Sequence, residues 1–70
     1  MAFAENLKYL REQKGISQAK LASLVGITQP TIAQYEIGLK VPTIIVGVRI
    51  AEQLGVTAEE LTYGELKKNI

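Results

Sequence analysis

Two glutamines carry the most informative chemistry in this chain. Gln29 and Gln34 lie in the stretch Thr28-Gln29-Pro30-Thr31-Ile32-Ala33-Gln34-Tyr35-Glu36, and each ends in an amide that donates and accepts at once. Such a group matches the edge of a nucleic-acid base. It accepts from N6 of adenine and donates to N7, and a good bidentate pair discriminates by about 1–3 kcal/mol. On a wheel of about 100° per residue, Gln29, Pro30, Ala33 and Gln34 share one continuous arc of about 140°. Ile32, Tyr35 and Glu36 fall on the opposite side, with Thr31 at the border. A helix over residues 28–36 therefore anchors itself by one apolar face and offers short or amide side chains on the other. Ala33 between the glutamines leaves room for close approach to a groove floor. Thr28 and Thr31 stand at the same end, where Thr31 can reach a thymine methyl or a phosphate. Thr28, Gln29, Thr31 and Gln34 are the candidate base-reading residues.

Glu36 is out of place beside a polyanion unless it points inward. The wheel puts it there, and Arg11 is its natural partner, able to pair bidentately and tie this helix to the first one. Such a buried pair is costly to break one-sidedly, by about 3–5 kcal/mol. Arg11 and Glu36 are read as a structural ion pair, with a spare Arg11 N–H available to phosphate.

The elements that must hold these residues are five helices. The first runs over about 2–13, with Phe3, Leu7 and Leu10 as one apolar stripe, and Lys14-Gly15 ends it. Ser17 caps a second over about 17–24, burying Leu21, Ala22 and Val25. Gly26 makes the turn, and Thr28 caps the third, where Pro30 in the first turn does no damage. Thr43 caps a fourth over about 43–54, ending at Gly55. Thr57 with Glu60 forms a capping box for a fifth over about 58–63, with Leu61 inward. Within Val41–Ile50 the β-branched residues favour a sheet, whereas the length and the flanking caps favour a helix, which is the reading adopted. Gly47 inside that helix suggests a close approach by another helix. The tail after Gly64, with Lys67 and Lys68, either extends helically or frays.

Composition narrows the function. The 70 residues suit one domain, 1–70, and a chain this short buries only about 60% of its unfolded surface. Hydrophobic residues make up 47%, so either the core is dense or some apolar surface is reserved for a partner. Cysteine and histidine are both absent, which removes disulfides, His-Cys metal sites and histidine-dependent catalysis. No nucleophile–base pair or phosphate-cradling loop is visible, and capping accounts for Glu59-Glu60. Neither an enzyme, a metal, a cofactor nor a small-molecule ligand is expected. No apolar run approaches the roughly 18 residues of a membrane span, and no signal-peptide pattern opens the chain. The absence of cysteine fits a reducing cytoplasm. The net charge is only +1, with five Lys/Arg against three Glu in residues 1–40 and three against four in 41–70. Charge alone does not suggest nucleic acid. Lys8, Lys14 and Lys20 read as ordinary solvated charges.

The segment Ser17–Glu36 resembles the helix-turn-helix of lambda-repressor-like proteins, the Cro/Xre group of phage and bacterial repressors. The resemblance rests on Ser17-Gln18, small Ala22 at a helix crossing, Gly26 in the turn, and apolar Leu21, Val25, Ile27, Ile32 and Tyr35. Upstream it takes in Leu7, Leu10, Arg11 and Gly15. Downstream it takes in Glu36-x-Gly38-x-x-x-Pro42, Ile50-Ala51, Leu54-Gly55-Val56 and Leu61. It implies an all-α five-helix bundle that binds duplex operator DNA as a two-fold homodimer. It further implies that Gln18 contacts a phosphate and steadies Gln29, that Gln34 reads a base, and that Lys40 meets phosphate from the loop. Ser17 joins Gln18 and Lys40 as a phosphate candidate. The chain departs from the pattern twice. The loop Ile37-Gly38-Leu39-Lys40-Val41 replaces a basic one, and Thr43-Ile44-Ile45-Val46-Gly47-Val48 replaces a polar helix face. The first implies modest DNA affinity for a lone subunit. The second implies an added protein contact, with Leu39, Val41, Ile45 and Val46 as dimer-interface candidates. The expected function is a repressor on a palindromic operator, regulated by its own concentration or forming the amino-terminal part of something larger. An interaction module of the same fold, such as an antitoxin or anti-repressor, is the rival.

Overall fold

The computed structural model describes residues 2–65, so the tail with Lys67 and Lys68 lies outside the described residues. Among the described residues there are five helices and no strand. They are α1 (Ala2–Gln13), α2 (Gln18–Val25), α3 (Gln29–Glu36), α4 (Ile44–Leu54) and α5 (Ala58–Tyr63). Expected bounds and observed ones agree to within a residue. The shifted starts arise because Ser17, Thr28 and Thr43 stand just outside their helices as N-caps, and α2 runs one residue further, to Val25, before the Gly26 cap.

Each cap satisfies an amide that has no partner inside its helix. Ser17 Oγ accepts from the Lys20 amide at 3.0 Å, and Thr28 Oγ1 from the Thr31 amide at 3.4 Å. At α5 the box is reciprocal: Thr57 Oγ1 accepts from the Glu60 amide while Glu60 Oε1 accepts from the Thr57 amide, both at 2.9 Å. Between α2 and α3 the chain reverses through Gly26 at φ 86°, a left-handed conformation that costs a residue with a Cβ roughly 1–2 kcal/mol. That turn sets the angle between the two helices.

The core gathers one face from every helix: Phe3 and Leu7 of α1, Leu21, Ala22 and Val25 of α2, Ile32 and Tyr35 of α3, Ile50, Ala51 and Leu54 of α4, and Leu61 of α5. Phe3 meets Tyr35 edge to face, with ring centroids 6.1 Å apart, a preferred aromatic geometry. α1 packs on α3 and α5, α2 on α3 and α4, and α4 on α5. Within the protomer no helix crosses at Gly47: a Cβ there would meet only Pro42 Cγ, at 3.8 Å. Val46 is half-buried and packed against the core, so it offers less surface to a partner than the interface candidates Leu39, Val41 and Ile45.

Candidate nucleic-acid interface

α3 lies across the core with Ile32, Tyr35 and Glu36 buried beneath it. Gln29 and Pro30 are exposed, and Thr31, Ala33 and Gln34 are half-buried at its flanks. The amide of Gln34 has no hydrogen-bond partner among the described residues, so both of its ends are available to a ligand. Thr28 and Thr31 are less free. Their hydroxyls bond each other at 2.8 Å, which leaves the pair one O–H to donate outward and two methyl groups.

Behind the exposed face runs a chain of polar contacts. Arg11 Nε donates to Glu36 Oε2 at 2.6 Å and Nη2 to Oε1 at 3.1 Å, and Nη1 donates to the Ile16 carbonyl at 2.9 Å. The Glu36 side chain is 3% exposed and that of Arg11 11%, so bulk water screens this pair little. Hydrogen bonding to Glu36 raises the pKa of the Arg11 guanidinium above its ordinary value, against the opposing effect of burial. Stability from a raised pKa is present below the unfolded-state value and lost as pH rises through the folded one. For Arg11 that loss falls only in strong alkali. The geometry is the bidentate fork expected of a strong charge-assisted pair.

Gln18 extends the chain outward. Its Nε2 donates to Glu36 Oε1 at 3.0 Å, and its Oε1 accepts from Gln29 Nε2 at 2.7 Å. The contact with Glu36 escapes sequence reading, because it joins the start of one helix to the end of another. One Gln18 N–H remains for an external acceptor. Ser17 is exposed and its hydroxyl hydrogen is free while its oxygen caps α2. Lys40 is exposed on the loop after α3.

The apolar loop and the start of α4 lie uncovered. Leu39 is 66% exposed, Val41 64% and Ile45 67%. Ile44, part of the apolar stretch read from the sequence but not named there as an interface candidate, is at 85% the most open large apolar side chain among the described residues. Val41, Ile44, Gly47 and Val48 line an apolar cavity of about 210 Å³ whose inner wall is Phe3 and Leu61.

Three kinds of likeness follow. A family model described as helix-turn-helix matches residues 7–61. The HTH-type transcriptional regulators YqaE and YgzD of Bacillus subtilis (strain 168), both uncharacterized, are similar in sequence. YqaE is 35% identical over 97% of this chain and 59% of its own length. YgzD is 34% identical over 84% of this chain and 89% of its own. The chain thus spans about three fifths of YqaE. Among solved structures, the P22 c2 repressor in complex with synthetic operator 9T shares the fold, with a TM-score of 0.89 over 93% of this chain and 98% of that one, at 23% identity. Iron(II) HppE in complex with its substrate matches at 43% identity and a TM-score of 0.79, over 86% of this chain but only 35% of that longer one. A match that covers most of the chain, from the first core leucine to the last, places this protein in the helix-turn-helix family of transcriptional regulators.

Proposed function

We propose that the protein is a sequence-specific DNA-binding repressor that acts as a homodimer on a palindromic operator in the cytoplasm. The observation that carries this reading is the face of α3: exposed Gln29 and half-buried Gln34 carry amides on the side away from buried Ile32 and Tyr35. In this reading Gln29 and Gln34 read bases, assisted by the Thr28–Thr31 pair, and Ser17, Gln18 and Lys40 hold phosphates. Arg11 and Glu36 act from inside. Two copies joined through Leu39, Val41, Ile44 and Ile45 present their α3 helices to successive major grooves about 34 Å apart. Repression follows from occupying a promoter. The P22 c2 repressor, bound to its operator, lends the reading support by fold alone.

Selection of binding sites from random duplexes by gel shift tests it. A defined, two-fold symmetric site is expected, and Gln34→Ala is expected to blur one position in each half while leaving the circular dichroism spectrum unchanged. If the variant enriches the same sites as the parent, Gln34 has no reading role.

The uncovered Ile44 and Ile45 also favour a second reading, a module of this fold that holds another protein. HppE, which pairs a similar fold with a further length of chain, illustrates that such folds occur within larger proteins. A chain that selects no duplex at low ionic strength supports this alternative.

A further inference from the structure

We infer that buried Glu36 sets the base preference of Gln29 by way of Gln18, so that this position accepts adenine and rejects guanine; the inference rests on the reading role proposed for Gln29. A primary amide has two unlike ends, an oxygen that accepts and a nitrogen that donates, and a half-turn exchanges them. A lone glutamine on a helix surface is therefore ambivalent. Turned one way it offers an acceptor and a donor, which suit N6 and N7 of adenine. Turned the other way it offers two donors, which suit O6 and N7 of guanine.

The contacts behind Gln29 remove this freedom. At the inner end stands a carboxylate clamped by Arg11 through Nε at 2.6 Å and Nη2 at 3.1 Å. It accepts hydrogen bonds and donates none. Gln18 must therefore turn its nitrogen inward, and Nε2 donates to Glu36 Oε1 at 3.0 Å. Its oxygen then faces Gln29, which must answer with Nε2, at 2.7 Å. What remains on the exposed side of Gln29 is Oε1 and one N–H, the complement of adenine. Guanine would set O6 against that oxygen. Reversing Gln29 requires reversing Gln18 as well, which would press the Gln18 oxygen against the Glu36 carboxylate. Glu36 is thus a positioning residue for specificity, as well as half of an ion pair.

The test compares base preference in selections from random duplexes by the parent, Gln29→Ala, Gln18→Met and Glu36→Gln, with folding of each checked by urea denaturation. The position whose preference disappears in Gln29→Ala is the one Gln29 reads. There the parent is expected to favour adenine over guanine by at least about fivefold, the lower end for a bidentate pair. In Glu36→Gln both amides can reverse together, and the ratio is expected to fall below about twofold, with the position lost in Gln34→Ala unaffected. Gln18→Met severs the middle contact and keeps the ion pair, and it should lower the ratio equally. Should Glu36→Gln fail to fold because it leaves the buried Arg11 charge without its partner, the double variant Arg11→Gln/Glu36→Gln, which removes both charges, takes its place, since Gln18→Met alone tests only the middle contact. A Glu36 that merely holds the helices together would weaken binding to all sequences alike and leave the ratio untouched. Folded variants that keep the parent's ratio overturn the inference, as does a parent that selects guanine at that position. A parent that selects no duplex sinks the DNA reading and the inference with it, an outcome distinct from the other two.

Discussion

Asn6 looks like an ordinary polar residue in the first turns of a helix, yet it is buried at 2% exposure among the apolar residues of α1. Its Nδ2 donates to the carbonyls of Gly64 at 2.7 Å and Leu61 at 3.0 Å, with Glu60 at 3.4 Å. The last carbonyls of a helix lack partners within it, and α5 closes on Gly64 in an extended conformation that supplies no left-handed cap. A side chain 55 residues away from Leu61 in sequence supplies donors to Leu61 and Gly64, while the Glu60 carbonyl also has the Gly64 amide at 2.8 Å. Asn6→Leu, which keeps the bulk and removes the donors, is expected to cost about 1–3 kcal/mol, read as a lower urea midpoint, with α5 amides exchanging fastest. Unchanged exchange in α5 would show that water serves those carbonyls equally well. The same residue marks the boundary of what could be read from sequence. Ser17, Thr28 and Thr57 cap amides three residues on, so their roles are legible from local spacing. The partners of Asn6, like the Gln18 contact with Glu36, lie on other helices and leave no pattern in the chain. Glu36 and Arg11 are intermediate: a carboxylate on an inward face needs a cation, but only the folded chain brings Gln18 to it as a second partner.

At the scale of the element, α4 is where local preference and context disagree. Ile44, Ile45, Val46, Val48 and Ile50 are β-branched, and such residues lose rotamer freedom in a helix. The buried set Ile50, Ala51 and Leu54 has helical spacing, and both ends carry stop signals, Thr43 Oγ1 on the Val46 amide at 3.4 Å and Gly55 at φ 74°. Tertiary packing and caps therefore prevail over β propensity, as they generally do where one face is buried. Gly47 adds a further local penalty, and nothing within the protomer requires it. Its φ is not positive, and a methyl group would stand 3.8 Å from Pro42 Cγ, an ordinary contact. Gly47→Ala is accordingly expected to stabilise the chain by about 0.5–1 kcal/mol, seen as a higher Tm at a protein concentration low enough to disfavour association. A lower Tm would mean that the helix needs the flexibility of glycine.

At the scale of the whole molecule, charge and shape together bear on the proposed pairing of two copies. A net charge of +1 gives one subunit little to gain from releasing counterions, the main source of DNA affinity for strongly basic proteins. The longest dimension of the molecule is 33 Å and it carries one α3, so a second groove about one turn away falls to a second copy. Linking two half-sites raises affinity through effective concentration without any new DNA contact, and an apolar surface on Leu39, Val41, Ile44 and Ile45 could supply that link. Ile45→Lys separates the two contributions because they predict opposite signs. The substitution adds a cation to a nearly neutral molecule, so if affinity came from phosphate attraction by independent subunits, binding would tighten and steepen with falling salt. If affinity depends on pairing through this surface, a lysine ammonium placed in an apolar contact breaks the pair. Sedimentation should then show monomers where the parent shows dimers, and affinity for a two-half-site duplex should fall by at least about tenfold, toward that for a single half-site. The variant should also become indifferent to the spacing between half-sites, a property that only a linked pair can sense. Tighter binding, or unchanged dimers with unchanged spacing preference, would move the subunit contact away from the start of α4.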